Sequence, residues 1–303
     1  MNDRQKRSAI AAIGHGTLGG LQWRLVLLWI LITLLPTMVV ALPLWKVLDR
    51  LLGYSVHADT WAAHFDGLMF ADVFSALRDA NRWTGMAFLA GVLLTLAISP
   101  FLTGMAVAGG RANRALGFGG LLQGGAMEYG RMLRLMILSL VPYGLFVLVA
   151  QGASTFAERK ADAAFLPSTA DLYQHGALAV GLLFFVIAQA IVESARAQFI
   201  ADVGLRSAFR ALGRGFMQFV RRPFASVFVY LAITLVGGVL TVLIAAWRGH
   251  TTGAGSGLLA GILIVQLGVA VMAWMRTSRL LALAGLVAVN PHRRRRTDFA
   301  PAL

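Results

Sequence analysis

Six stretches of this chain stay apolar for roughly the twenty residues needed to cross a bilayer: 25–45, 85–109, 135–153, 176–192, 224–247 and 257–275. A helix rises about 1.5 Å per residue, so such a run covers a hydrocarbon core about 30 Å thick. Backbone groups in lipid find no water, so the runs must be helices that satisfy their own hydrogen bonds. A strand barrel needs alternating segments of about ten residues, and the pattern lacks them. The fold class expected is therefore all-α, a polytopic membrane helix bundle with six transmembrane helices. Composition agrees: 58% of residues are apolar and 13% charged, against about 45–50% and about 25% in soluble chains. The run at 25–45 exceeds the 7–15-residue core of a signal peptide and lacks a good Ala-x-Ala exit, so it reads as a retained first span.

Charge sets the expected orientation. With the N-terminus in the cytoplasm, twenty of the 27 Lys and Arg residues lie inside and eight of the 13 acids lie outside. The inverse arrangement breaks the positive-inside bias at every short loop. Both termini are expected in the cytoplasm, with the protein in a bacterial inner membrane. Topology accounts for the formal charge of +14, so nucleic acid is not an expected partner. The segments expected are a basic cytoplasmic N-terminus (1–24), a single six-span membrane domain (25–289) and a basic tail (290–303). The chain has no cysteine, which excludes disulfides, thiolate metal sites, cysteine nucleophiles and palmitoylation.

The loops add interfacial amphipathic helices. In the outer loop, 46–84, helical spacing over 69–82 gathers Met69, Phe70, Val73, Phe74 and Leu77 on one arc and charged residues on the other. On the inner side a second such helix, at about 196–222, places Leu205, Phe209, Leu212, Phe216 and Phe219 on one face. Arg206, Arg210, Arg214 and Arg221 lie opposite, and Arg222 precedes the proline that opens span five. Rings down and guanidiniums towards headgroups, this helix suits anionic lipid or an acidic partner, each arginine contributing about 1 kcal/mol.

Chemistry is harder to find. By these boundaries no span holds an ionisable residue in its interior, which argues against a proton-driven pump or a charge-lined channel. Pro36, Pro100 and Pro142 fall mid-span, with Thr33, Thr37, Ser99, Thr103, Ser139 and Tyr143 placed to take up freed carbonyls. Broken helices around a substrate site are one reading; packing of kinked helices is the favoured one. His57-x-Asp59 and His64-x-Asp66 have ligand-type side chains, but a wet loop explains them better than a metal. Gly117–Gly125 lacks the Lys-Ser/Thr of a phosphate loop and suits close helix approach. Gly257-x-x-x-Gly261 suits helix packing. Ser256 between glycines has no base in a later span and does not read as a nucleophile. Glu193 with Arg196, Asp202 with Arg206, and Glu128 with Arg131 stand at i, i+3 or i+4 spacing, worth a few tenths of a kcal/mol when exposed, and read as interface pairs that fix the inner helices. No catalytic residue, metal ligand or cofactor is expected.

The stretch Glu193-Ser-Ala-Arg, followed by Leu205-Arg-Ser-Ala-Phe-Arg-Ala-Leu-Gly-Arg-Gly-Phe, resembles bacterial multi-span proteins similar to the membrane domain of glycerophosphodiester phosphodiesterases. The likeness covers about a quarter of the chain. It implies a six-helix membrane domain. The catalytic barrel of those enzymes has no counterpart in these short outer loops, so neither their activity nor any catalytic residue carries over.

The function expected is non-catalytic: a scaffold or accessory subunit of an envelope or transport assembly, with a basic cytoplasmic face for anionic headgroups or a membrane-protein partner. The alternative is a transporter or lipid-handling protein for a neutral or amphipathic substrate, with its site among the proline-kinked spans.

Overall fold

The computed structural model describes residues 3–56, 67, 71, 73–75, 81–112, 115–251 and 256–288. Long helices, in chain order, make up the described architecture: α1 (Asp3–Gly20), α2 (Trp23–Leu52), α3 (Asn81–Arg111), α4 (Phe118–Leu138), α5 (Leu140–Asp162), α6 (Pro167–Ala201), α7 (Ala208–Arg221), α8 (Pro223–Gly249) and α9 (Ser256–Ala288). No strand occurs among the described residues. Six spans are long and apolar enough to cross a membrane: Trp23–Arg50, Trp83–Arg111, Phe118–Asp162, Pro167–Ala201, Pro223–Gly249 and Gly257–Val287. The protein is a polytopic membrane helix bundle.

Its core is lopsided. Apart from Ala157 and Ile264, the buried apolar side chains lie in the halves of the spans nearest α1 and α7, or in those two helices and the turn before α7. Arg111, Arg131, Arg196, Arg276 and Arg279 lie at this end, called here the basic end. Towards the opposite end the spans pack as antiparallel pairs: α2 with α3, α5 with α6, and α8 with α9. Small residues permit the close approaches. A Cβ on Gly125 would meet Met105 at 2.7 Å, and one on Gly237 would meet Met275 at 2.6 Å.

Several elements depart from expectation. The third span is a 45-residue helical stretch from Phe118 to Asp162, about 67 Å if straight. A bilayer with its headgroups is about 40–45 Å thick, so a straight stretch of this length would extend beyond it. The stretch breaks at Ser139, whose Oγ donates to the Met136 carbonyl at 2.6 Å. Pro142 therefore sits in the first turn of α5, where its missing N–H costs nothing. Pro36 and Pro43 lie inside α2, and Pro100 inside α3, with the helices continuous through them. The neighbouring hydroxyls do not take the freed carbonyls. Thr33 donates to Trp29 at 2.8 Å and Thr103 to Ser99 at 2.9 Å, each onto its own preceding turn. That is the geometry a short side chain reaches from within a helix.

The N-terminal segment is an ordered helix. α1 lies antiparallel along the second half of α9, with Ala12, Gly16 and Gly20 facing Gly285, Ala282 and Ser278. Trp274 Nε1 donates to the Thr17 carbonyl at 3.0 Å and anchors the contact. The inner amphipathic helix is shorter than its expected range: α6 ends at Ala201, and α7 begins only at Ala208. The amphipathic helix expected over 69–82 lies largely outside the described residues; 71 and 73–75 are helical, and 81 and 82 belong to the start of α3. The basic tail, 290–303, lies outside them entirely.

Candidate lipid-facing site at the basic end

α7 starts where Ser207 Oγ accepts the Arg210 N–H at 3.4 Å, and it stops at Arg222, one residue before Pro223 opens α8. Its surface divides into three arcs. Ala208, Ala211 and Gly215 are buried. Gly215 lies so close to α6 that a Cβ there would stand 2.5 Å from the Ala195 nitrogen. Gln218 holds the same side, accepting from Gln198 at 2.7 Å and donating to the Leu283 carbonyl at 3.3 Å. The second arc is apolar and uncovered: Phe209 is 74% exposed, and Phe216, Met217 and Val220 are exposed beside it. The third carries Arg210 and Arg221, both exposed, with Arg206 exposed in the preceding turn.

Thus the five expected contact arginines do not form one set. Arg206, Arg210 and Arg221 point away from the protein. Arg214 is half-buried and bonds Asp202 at 2.7 Å across the turn, so it serves the fold. Arg222 is half-buried at the junction with α8. The apolar face also splits: Leu205 is buried and Leu212 and Phe219 are half-buried, while Phe209 and Phe216 face outward.

Two carboxylates expected to pair along their own helices at the interface are buried at this end and also meet arginines of other helices. Glu128 on α4 receives Nη1 of Arg111 and, at 3.1 Å, Nη1 of Arg131. Arg111 also donates from Nε to the Phe199 carbonyl at 2.7 Å, so one guanidinium ties α3, α4 and α6 together. Glu193 on α6 receives Arg196 at 3.0 Å and has Arg279 of α9 at 3.9 Å. Arg279 donates to Thr234 on α8 at 3.1 Å and lies 5.0 Å from the Tyr230 ring centre. Arg276, Arg196 and Glu193 line an enclosed void of about 20 Å³ with Trp29 and Thr103, room for about one water. Three arginines therefore surround one carboxylate.

The expected spans ended at 192 and 275, one residue before Glu193 and Arg276 in each case. The helices run on to Ala201 and Ala288, which places the charged cluster inside them. The available signal was a lone acid at 193 and arginines at 196, 276 and 279 flanked by apolar sequence. The partnership across helices had no local signature.

Gly261 makes room for the Arg248 side chain, whose Nε would stand 2.9 Å from an added Cβ; it does not admit a second helix backbone. Of the expected Gly117–Gly125 stretch, Gly124 and Gly125 do give a close helix approach, against Ala108, Met105 and Phe101 of α3. Among the described residues no cluster of His, Asp and Glu could hold a metal ion. His57, Asp59, His64 and Asp66 lie outside them. Comparison with known protein families, curated proteins and solved structures finds no match to this chain.

Proposed function

We propose that this is a non-catalytic protein of the bacterial inner membrane, with both termini cytoplasmic, acting as a scaffold or accessory subunit. Its basic face holds anionic headgroups of the cytoplasmic leaflet, where a membrane-protein partner can share the surface. The three-arc division of α7 carries the reading. One arc is locked to the bundle, the next offers Phe209 and Phe216, and the last offers Arg206, Arg210 and Arg221. Apolar and cationic arcs side by side suit a helix lying at the depth where acyl chains meet phosphates. The non-catalytic part rests on the buried carboxylates: each is already held by arginines at hydrogen-bonding distance, the arrangement of a fastener rather than of a free general base.

Native mass spectrometry of protein extracted from mixed phosphatidylglycerol and phosphatidylcholine bilayers tests this. Replacing Arg206, Arg210 and Arg221 together by Gln removes about 3 kcal/mol of headgroup attraction. Retention of phosphatidylglycerol falls accordingly, by about a hundredfold in affinity. Unchanged retention in the triple variant contradicts the proposal.

A further inference from the structure

Two grooves meet at the start of α2. The larger, about 590 Å³, is almost wholly apolar and is walled by Val26, Leu27 and Ile30 of α2, Leu240 of α8, and Val271 and Trp274 of α9. The smaller, about 500 Å³, is half polar and includes Gln22, Arg24 and the backbone at Gly19 and Gly109. Leu21 and Trp23 line both, so the two open grooves adjoin at the Trp23 ring and together make one amphipathic surface channel, apolar on one side of the ring and half polar on the other. Each lobe is of the size that holds a small molecule, about 300–1,000 Å³.

The polar lobe carries charge without a counter-charge. Arg24 makes no salt bridge among the described residues; its guanidinium sits 5.4 Å from the Trp23 ring centre. Gln22 is held beside it by a hydrogen bond from Nε2 to the Leu116 carbonyl. The walls are fixed before anything binds. Leu18 and Gly19 belong to α1, which is seated on α9 through Gly16 and Gly20, and Trp274 is fastened to the Thr17 carbonyl. A preformed cavity avoids the cost of ordering its own walls.

We infer that this channel binds one anionic phospholipid of the surrounding bilayer, with an acyl chain along α2, α8 and α9 and the phosphate of a net-negative headgroup at Arg24. Three features favour this occupant. The apolar lobe lies on the lipid-crossing parts of α2, α8 and α9. The cation stands at the end of α2 where its apolar run begins. A guanidinium pairs with a phosphodiester in a bidentate fashion, and a lone arginine favours a headgroup of net negative charge over phosphatidylcholine, whose quaternary ammonium already balances its phosphate. The site uses different residues from those of α7, and it stands or falls separately.

The test uses the full chain in nanodiscs of phosphatidylcholine doped with phosphatidylglycerol, read by native mass spectrometry after detergent exchange. Besides the lipid held at α7, the unaltered protein retains one phosphatidylglycerol in the channel beyond the exchangeable shell. Arg24→Gln weakens that retention about fivefold, the value of one headgroup arginine. Leu27→Trp fills the apolar lobe and abolishes it, while Leu27 faces lipid and its replacement leaves the buried core untouched. The Arg206, Arg210 and Arg221 triple variant keeps this one lipid, which separates the channel from the α7 surface. Phosphatidylglycerol carrying brominated acyl chains gives a second readout on the unaltered protein, through saturable quenching at Trp23 and Trp274. Retention unchanged in both Arg24→Gln and Leu27→Trp, equal retention of phosphatidylcholine, or quenching that never saturates overturns the assignment.

Discussion

Replacing Glu193 by Gln removes one charge and almost no volume, and it tests whether the buried cluster fastens the bundle. The glutamate side chain is 7% exposed, with Arg196 at 3.0 Å and Arg279 at 3.9 Å. At an effective dielectric constant of about 20, those two separations correspond to attractions of about 5 and about 4 kcal/mol. Much of this is spent on taking the charges out of water, so the sum is not the stability lost. Breaking a buried pair by removing one partner costs about 3–5 kcal/mol, because the other charge stays behind. Here three arginines stay behind, although the long Arg279 contact favours the lower figure. The expected loss is about 3 kcal/mol by equilibrium unfolding in mixed micelles. Glu158→Gln is the control, since that carboxylate is exposed, and its effect stays within about 0.5 kcal/mol. Adding Arg279→Met to Glu193→Gln recovers more than about 1 kcal/mol, as removing both members of a buried pair should. If Glu193→Gln unfolds together with Glu158→Gln, the cluster is not a fastener and the reasoning fails.

Two further outcomes follow from close approaches. Gly215→Leu drives α7 off α6, because the new Cβ meets backbone at 2.5 Å and backbone cannot yield. The chain lacks cysteine, so cysteines introduced at 198 and 218 report docking, and their crosslinking yield falls several-fold in the Gly215→Leu background. Gly16→Val sets a Cβ 2.7 Å from that of Ala282 and 2.8 Å from the Ser278 carbonyl, which lifts α1 from α9. Hydrogen exchange at residues 9–20 rises, while exchange in α5 does not change.

Some of this could be read directly. Run length requires six crossings, because each uninterrupted apolar stretch is long enough for the hydrocarbon and too apolar for water. Pro223 after Arg222 marks the start of α8, since proline suits a first turn and the residue before it avoids the helical region. The glycines at 124 and 125 bring two helices together because nothing larger fits. The buried carboxylates were less legible. Hydropathy ended two spans one residue short of Glu193 and Arg276, although an arginine on one helix can neutralise a glutamate on another and let both helices continue.

What the chain alone determined is the class of fold and the clustering of arginines, both local consequences of side-chain type against bilayer thickness. What tertiary structure decided is direction: which apolar arc of α7 meets protein and which is left uncovered, why Arg214 turns inward while Arg210 stays out, and that α1 seats on α9. Lipid tails and a protein interior are equally apolar, so periodicity cannot separate them. Only contact with particular neighbours, Ala195 beneath Gly215 and Ser278 beneath Gly20, distinguishes the two surroundings.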